Sequence, residues 1–162
     1  MLYRMIRLPP QVNLTKKDGV LIVEGPEGQR FLSSKLQFLQ KGQTLFLFSP
    51  FTSSELRDVL QASLGVGLSY SKELVLDGVG YRVRKEKSFL ILDIGYSHSI
   101  HIVLPVTIFV ECLKNKIFLK SCNLQELNNF CTHLRSFRFP DSYKAKGILY
   151  KGEILKKKEG KT

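Results

Sequence analysis

The residues best suited to chemistry with a partner lie between Phe137 and Thr162. There Arg138, Lys144, Lys146, Lys151, Lys156, Lys157, Lys158 and Lys161 stand against only Asp141, Glu153 and Glu159. Tyr143 and Tyr150 sit among the cations, and Gly147, Gly152 and Gly160 allow a partner close to the backbone. Cations interleaved with aromatic rings suit a polyanion that carries flat bases as well as phosphates. The last seven residues alone read equally well as a solvated basic tail. The longer stretch does not, because Ile148, Leu149, Tyr150, Ile154 and Leu155 need a surface to bury against.

Other groupings offer less. Gly78-Val79-Gly80 lies in an extended segment, without the later glycine or the Gly-Lys-Ser/Thr ending of a phosphate loop. His98 and His101 are three apart, a spacing that puts them on opposite faces of a strand, so no shared metal is expected. His98 is read either as a hydrogen bond that pins a kink or as a contact to RNA. His133 has no acidic or cysteine ligand at helical spacing. Cys112, Cys122 and Cys131 are odd in number and form no Cys-x-x-Cys, which argues against a disulfide framework and a zinc ribbon and for a reducing compartment. No catalytic residue, metal or cofactor is expected.

The balance of 25 Lys+Arg against 14 Asp+Glu in 162 residues gives a net charge of +11. Such an excess points to an anionic partner, nucleic acid before membrane. The longest apolar runs, Leu45 to Phe48 and Phe89 to Leu92, fall far short of the roughly 20 residues of a spanning helix. The first ten residues lack a long apolar core and a small-residue cleavage site, so no secretory signal is expected.

The elements that position the basic stretch follow from periodicity. Val12 and Leu14 alternate with polar residues into a turn at Lys16-Lys17-Asp18-Gly19, and Val20 to Glu24 is the return strand. Gly25 to Gly28 is a second turn, with further strands at Gln29 to Ser34 and Leu45 to Ser49. Ser53 or Ser54 is expected to cap a helix with Leu56, Val59, Leu60, Ser63 and Leu64 at helical spacing. Lys72 to Arg84 reads as one long strand with a bulge at Gly78 and Gly80. Ser88 to Gly95 returns from it, and Ile100 to Leu104 follows a kink at Tyr96 to Ser99.

The chain then starts again. Setting Pro9 on Pro105 without a gap puts Val12 on Ile108, Leu14 on Val110, Leu21 on Ile117 and Val23 on Leu119. A helix capped by Asn123 follows, with Leu127, Phe130, Cys131 and Leu134 on one face. Each helix leads into a glycine-bearing strand, Val75 to Arg84 and Lys144 to Glu153. The order hairpin, helix, strand, given twice, is the mark of an internal duplication. The expected fold is α+β, two tandem halves of a small antiparallel sheet on one helix, divided as 1–84 and 85–162.

Three segments carry a family resemblance: Asp77-Gly78-Val79-Gly80-Tyr81-Arg82, Gly95-Tyr96-Ser97-His98, and Pro140-Asp141-Ser142-Tyr143-Lys144-Ala145-Lys146-Gly147-Ile148-Leu149-Tyr150. The last is similar to the signature Pro-Glu-Pro-Tyr-Lys-Gly-Lys-Gly-[Ile/Val]-[Arg/Lys]-Tyr of the universal large-subunit ribosomal protein L-six family, which the chain resembles over nearly its whole length. Ser142 and Ala145 stand where the family has Pro and Gly, and Leu149 where a cation is usual. Asn128 and Asn129 stand where Gly-Gln is frequent, and Ser121 replaces a Gly that Gly25 retains in the first half.

The resemblance implies two similar α+β halves and a structural protein, not an enzyme. It implies binding to large-subunit rRNA through the second half, near the stalk base and factor-binding centre, beside neighbouring ribosomal proteins and with no homo-oligomer. On the resemblance Tyr143, Lys144, Lys146, Gly147 and Tyr150 are expected to touch RNA, with Tyr96, Ser97 and His98 of its second motif and Lys157, Lys158 and Lys161 of its basic ending; the charge pattern adds Arg138, Lys151 and Lys156. Richness in Leu, Phe, Lys and Ser without Trp suits an A+T-rich genome and a mitochondrial ribosome, with plastid stroma or bacterial cytoplasm as alternatives. The competing functional reading is a small basic enzyme, or an RNA-binding module outside the ribosome.

Overall fold

The computed structural model describes residues 3–33, 36–48 and 52–159. The chain runs β1 (Tyr3–Arg7), β2 (Asn13–Lys17), β3 (Val20–Gly25), β4 (Gly28–Ser33), β5 (Gln37–Lys41), β6 (Thr44–Phe48) and α1 (Ser53–Leu68). It continues through β7 (Tyr70–Asp77), β8 (Arg82–Glu86), β9 (Phe89–Asp93), β10 (Ile100–Val103), β11 (Phe109–Leu113), β12 (Lys116–Ser121), α2 (Leu124–Ser136) and β13 (Gly147–Tyr150). Small antiparallel sheets with two helices among the described residues make this an α+β protein, as the sequence pattern indicates. Ser34 and Ser49, expected as strand ends, lie outside the described residues.

The chain divides into two compact units: Met1–Tyr70 with Cys122–Leu124, and Ser71–Ser121 with Gln125–Thr162. The division falls after Tyr70, the first residue of β7, and leaves the rest of β7 in the second unit, whereas the sequence pattern places the boundary after Arg84. The reason is hydrogen bonding. β7 lies between β12 and β13 in a four-stranded sheet ordered β11-β12-β7-β13.

In the first unit, two three-stranded sheets, β1-β6-β5 and β2-β3-β4, share a core with α1. Period-two alternation turns Leu21 and Val23 of β3, and Leu45 and Leu47 of β6, inward. α1 meets them with Leu56, Val59, Ala62 and Val66, at helical spacing. Each fully buried leucine or valine contributes roughly 1.5–3 kcal/mol of transfer free energy. The helix begins one residue earlier than expected. Thr52, not Ser53 or Ser54, is the cap: its side chain accepts from the Glu55 backbone N–H, and Glu55 reaches back to the Thr52 N–H at 2.9 Å.

β1 and β5 were not anticipated. Met5 and Leu39 point outward at 59% and 57% exposure beside the inward-leaning Ile6 and Phe38, so neither strand alternates visibly. Their register comes from β6, where Phe46 faces Met5 on one side and Leu39 on the other.

In the second unit the expected long strand is two strands. Gly78 to Tyr81 is a bend between β7 and β8. A β-carbon on Gly78 would lie 2.7 Å from the Tyr81 ring, and Gly80 has φ +80°. Tyr81 thus folds over the bend instead of ending a continuous strand. β8 pairs with β9, and β9 with β10, as a separate three-stranded sheet. The core joins Leu74, Leu76, Ile117, Leu119 and Ile148 with Leu127, Phe130, Cys131 and Leu134 of α2.

The duplicated hairpin keeps its offset to the residue. β2 at Asn13–Lys17 corresponds to β11 at Phe109–Leu113, and β3 at Val20–Gly25 to β12 at Lys116–Ser121. Gly25 and Ser121 show what changed between the copies. A β-carbon on Gly25 would meet Val66 Cγ1 at 2.7 Å, whereas Ser121 is buried and donates from Oγ to the Thr107 carbonyl at 3.0 Å.

Candidate nucleic-acid interface

The central part of the basic stretch is a loop wound around Asp141. Its carboxylate accepts the backbone N–H groups of Tyr143 and Lys144 at 3.2 and 3.4 Å, the side-chain-to-backbone turn that Asp favours. The Asp141 N–H donates to the Lys146 carbonyl at 3.0 Å, and the Ala145 N–H to the Asp141 carbonyl at 2.8 Å. Ala145 takes φ +56°, a left-handed conformation natural to the glycine of the family signature. Gly147 closes the loop with φ +155° against the backbone of Phe139 and Pro140. Ala145 is buried under the loop, while Tyr143, Lys144 and Lys146 project outward. Tyr143 is 57% exposed.

The segment after α2 joins this loop to the Tyr96 bend. Tyr96 donates its hydroxyl to the Phe137 carbonyl at 2.7 Å, and the Arg138 guanidinium lies 5.3 Å from the Tyr96 ring centre. Contacts with the Tyr96 and then the Tyr81 hydroxyl raise the Arg138 pKa further, so the cation is permanent. His98 stacks toward Tyr96 at 6.4 Å, and Ser97 and His98 are exposed. The Arg138 carbonyl accepts from the Ile148 N–H at 3.0 Å, which fixes the start of β13. Tyr96, His98, Arg138 and the Asp141 loop are therefore one connected surface.

Tyr150 and Lys151 are engaged within the protein. The half-buried Tyr150 ring has Lys72 Nζ and the Arg135 guanidinium each 5.1 Å from its centre. Arg135 also pairs with Glu153 at 2.5 Å, and Glu153 accepts the Tyr150 N–H at 3.1 Å. Lys151 pairs with Glu73 at 2.6 Å, and Lys116 adds a second cation at 3.3 Å. The hydrogen bond from Lys151, aided by Lys116, holds the Glu73 carboxyl below its ordinary range. Beyond Gly152 the chain turns back, and the Lys158 N–H donates to the Ser142 carbonyl at 2.9 Å. Lys156, Lys157 and Lys158 are exposed beside the loop. Lys161 lies outside the described residues.

Sequence reasoning missed Asp141 as the organiser of the loop, although Pro-Asp-Ser is a turn signal. It also missed Arg135 and Lys72 on Tyr150; no local pattern announces pairs that meet only in the folded unit. Among the described residues, no three His, Cys, Asp or Glu side chains gather to hold a metal, and no helix is long and apolar enough to cross a membrane.

No family model matches the chain. Curated proteins do. The large ribosomal subunit protein uL6 of Lacticaseibacillus casei is 34% identical over 169 residues, covering 99% of this chain and 96% of that protein. The uL6 of Parabacteroides distasonis is 36% identical over 172 residues, covering 97% and 94%. The chain belongs to the uL6 family. The uL6 of Bacteroides thetaiotaomicron is similar at 33% identity over 177 residues, again covering 97% and 94%. These uL6 relatives are bacterial. These alignments span both units.

Proposed function

We propose that this uL6-family chain is a structural protein of the large ribosomal subunit that grips large-subunit rRNA with its second unit. The observation that carries this reading is the exposure of Tyr143, Lys144 and Lys146 on a loop locked by Asp141 and Gly147, with Lys156 to Lys158 tied beside it. Such a loop holds the backbone that carries these cations, so little backbone freedom is lost on binding. Phosphates neutralised there release counterions, which drives association. Recognition is by shape and 2′-hydroxyl contacts, since A-form RNA hides its base edges in a deep groove. Tyr96, Ser97, His98 and Arg138 extend this contact. Tyr150 and Lys151 belong to the same set, held in position by Arg135 and Glu73. Its seat near the stalk base and factor-binding centre, among neighbouring ribosomal proteins, rests on the family signature in residues 140–150.

The test is co-sedimentation through sucrose in moderate and then high salt, with the full chain and a variant carrying Lys144, Lys146, Lys156, Lys157 and Lys158 all as alanine. The chain is expected in the large-subunit peak at both salts, and the variant to leave it at high salt. Absence of the chain itself from that peak overturns the reading in favour of a module or enzyme outside the ribosome. Composition alone supports a mitochondrial ribosome, against the bacterial source of the relatives. Recovery of the chain with plastid or bacterial ribosomes overturns that placement.

A further inference from the structure

The second unit carries another surface with cations and flat rings, on the four-stranded sheet. A cleft of about 730 Å³ is lined by Lys72, Glu73, Phe109, Phe118, Lys120 and Tyr150, among others. Register explains the grouping. Phe109 faces Lys120 across β11 and β12, and Glu111 faces Phe118 one step along, so all four project from the same side of the sheet. Val110 and Leu119, between them, point into the core.

Phe109 is 57% exposed, an aromatic ring held out on a strand whose neighbours are buried. Lys85 Nζ lies 5.4 Å from the centre of this ring and donates to the Val110 carbonyl at 2.9 Å, so the cation is held in place. Phe109 and Glu111 also wall a second cleft, of about 700 Å³, on the β8 side of β11, where Arg84 and Lys85 stand. The ring is thus a ridge with a cation to either side, Lys85 toward β8 and Lys120 on β12, among the carboxylates Glu86 and Glu111. Glu73, the acidic residue of β7 in the first cleft, already carries Lys116 and Lys151. Glu111 adds an acceptor for the amino group of a base, which a purely basic surface lacks.

We propose that Phe109 is a stacking platform for one unpaired nucleotide of RNA, with its flanking phosphates led across β11 by Lys85 on one side and Lys120 on the other. Exposed rings bracketed by cations are how single strands are held without sequence readout. This site is separate from the Asp141 loop, but it rests on the reading that the partner is RNA.

The purified full chain is titrated with single-stranded oligoadenylate and with an abasic oligonucleotide of the same length and charge. Phe109→Leu is expected to weaken oligoadenylate binding by roughly ten-fold or more, the size of one base–aromatic stack, and to leave abasic binding unchanged; Phe109→Tyr retains both. Equal loss on both ligands, or no loss on oligoadenylate, overturns the platform. In assembled large subunits, p-benzoylphenylalanine in place of Phe109 is expected to cross-link to rRNA on irradiation, and cross-linking to a protein neighbour instead overturns it. The oligonucleotide assay needs no ribosome, so failure of the sedimentation test leaves it independently readable.

Discussion

A β-carbon placed on Gly147 would stand 2.5 Å from the Cα of Pro140. The obstacle is the Phe139–Pro140 backbone, with the Pro140 nitrogen at 2.6 Å and the Phe139 carbonyl carbon at 2.8 Å, so there is no side chain that could swing away. Gly147→Ala is expected to destabilise the protein by roughly 2–4 kcal/mol, the range for a forced backbone shift plus an unfavourable φ. The urea midpoint measures it. An unchanged midpoint would mean that the loop is not braced against Pro140.

Lys144 and Lys146 are exposed, and neither is in an ion pair among the described residues, so replacing both with alanine is expected to leave the unfolding midpoint within experimental error. Binding to large-subunit rRNA should weaken, and the slope of log affinity against log salt should fall by roughly 1–2 for two lost phosphates. Filter binding over a salt series reads both. A slope equal to that of the parent chain would remove these lysines from the contact.

Two carboxyls tie the second unit to acid pH. Lys151 and Lys116 hold the Glu73 pKa below the ordinary value, and the Ser99 hydroxyl, at 2.5 Å, with Arg84 does the same for Asp93. Both groups bind a proton more weakly folded than unfolded. The stability they supply is complete above the ordinary carboxylate range and is lost as pH falls through their lowered folded values. Thermal midpoints should therefore fall as pH drops below about 4, and Glu73→Gln should flatten part of that fall. An equally steep acid profile in Glu73→Gln would show that the Lys116–Glu73–Lys151 cluster contributes nothing.

Burial pushes the Cys131 thiol up to about 11, and Cys112 is raised by the same cause. With almost no thiolate at pH 8 and no exposed surface, Cys131 is expected to resist iodoacetamide in the native protein and to react fully in urea. Mass spectrometry of labelled peptides distinguishes the states. Rapid native labelling at Cys131 would show that α2 opens from the sheet.

How much of this could be read in the sequence depends on where the determining contact lies. The hairpins were legible because their alternation is local, and the gapless offset from β2–β3 to β11–β12 reproduced in the fold to the residue. β1 and β5 were not, because consecutive apolar residues such as Leu39 and Phe38 face opposite ways and only β6 sets their register. The cap at Thr52 was legible in principle, since Glu55 three residues on completes the box. The break after Asp77 was disguised: glycines in an extended run suit a bulge as well as a bend, and the Tyr81 ring over Gly78 decides between them. In the basic stretch the charge was plain. The division between cations free to face a partner and those paired within the protein was not, because Glu73, far earlier in the chain, pairs with Lys151.

The pairing of β7 with β13 ties the start of the second unit to its end, Asp77 facing Gly147 and Leu74 facing Tyr150. A nascent chain that stalls or is cut short before Tyr150 leaves β7 with an open edge and the Asp141 loop without its closing strand. Such a fragment retains most of the protein's mass but not the rigid basic loop. Closure of the basic loop thereby depends on a pairing of two strands far apart in the sequence, not on the turn chemistry of the loop alone.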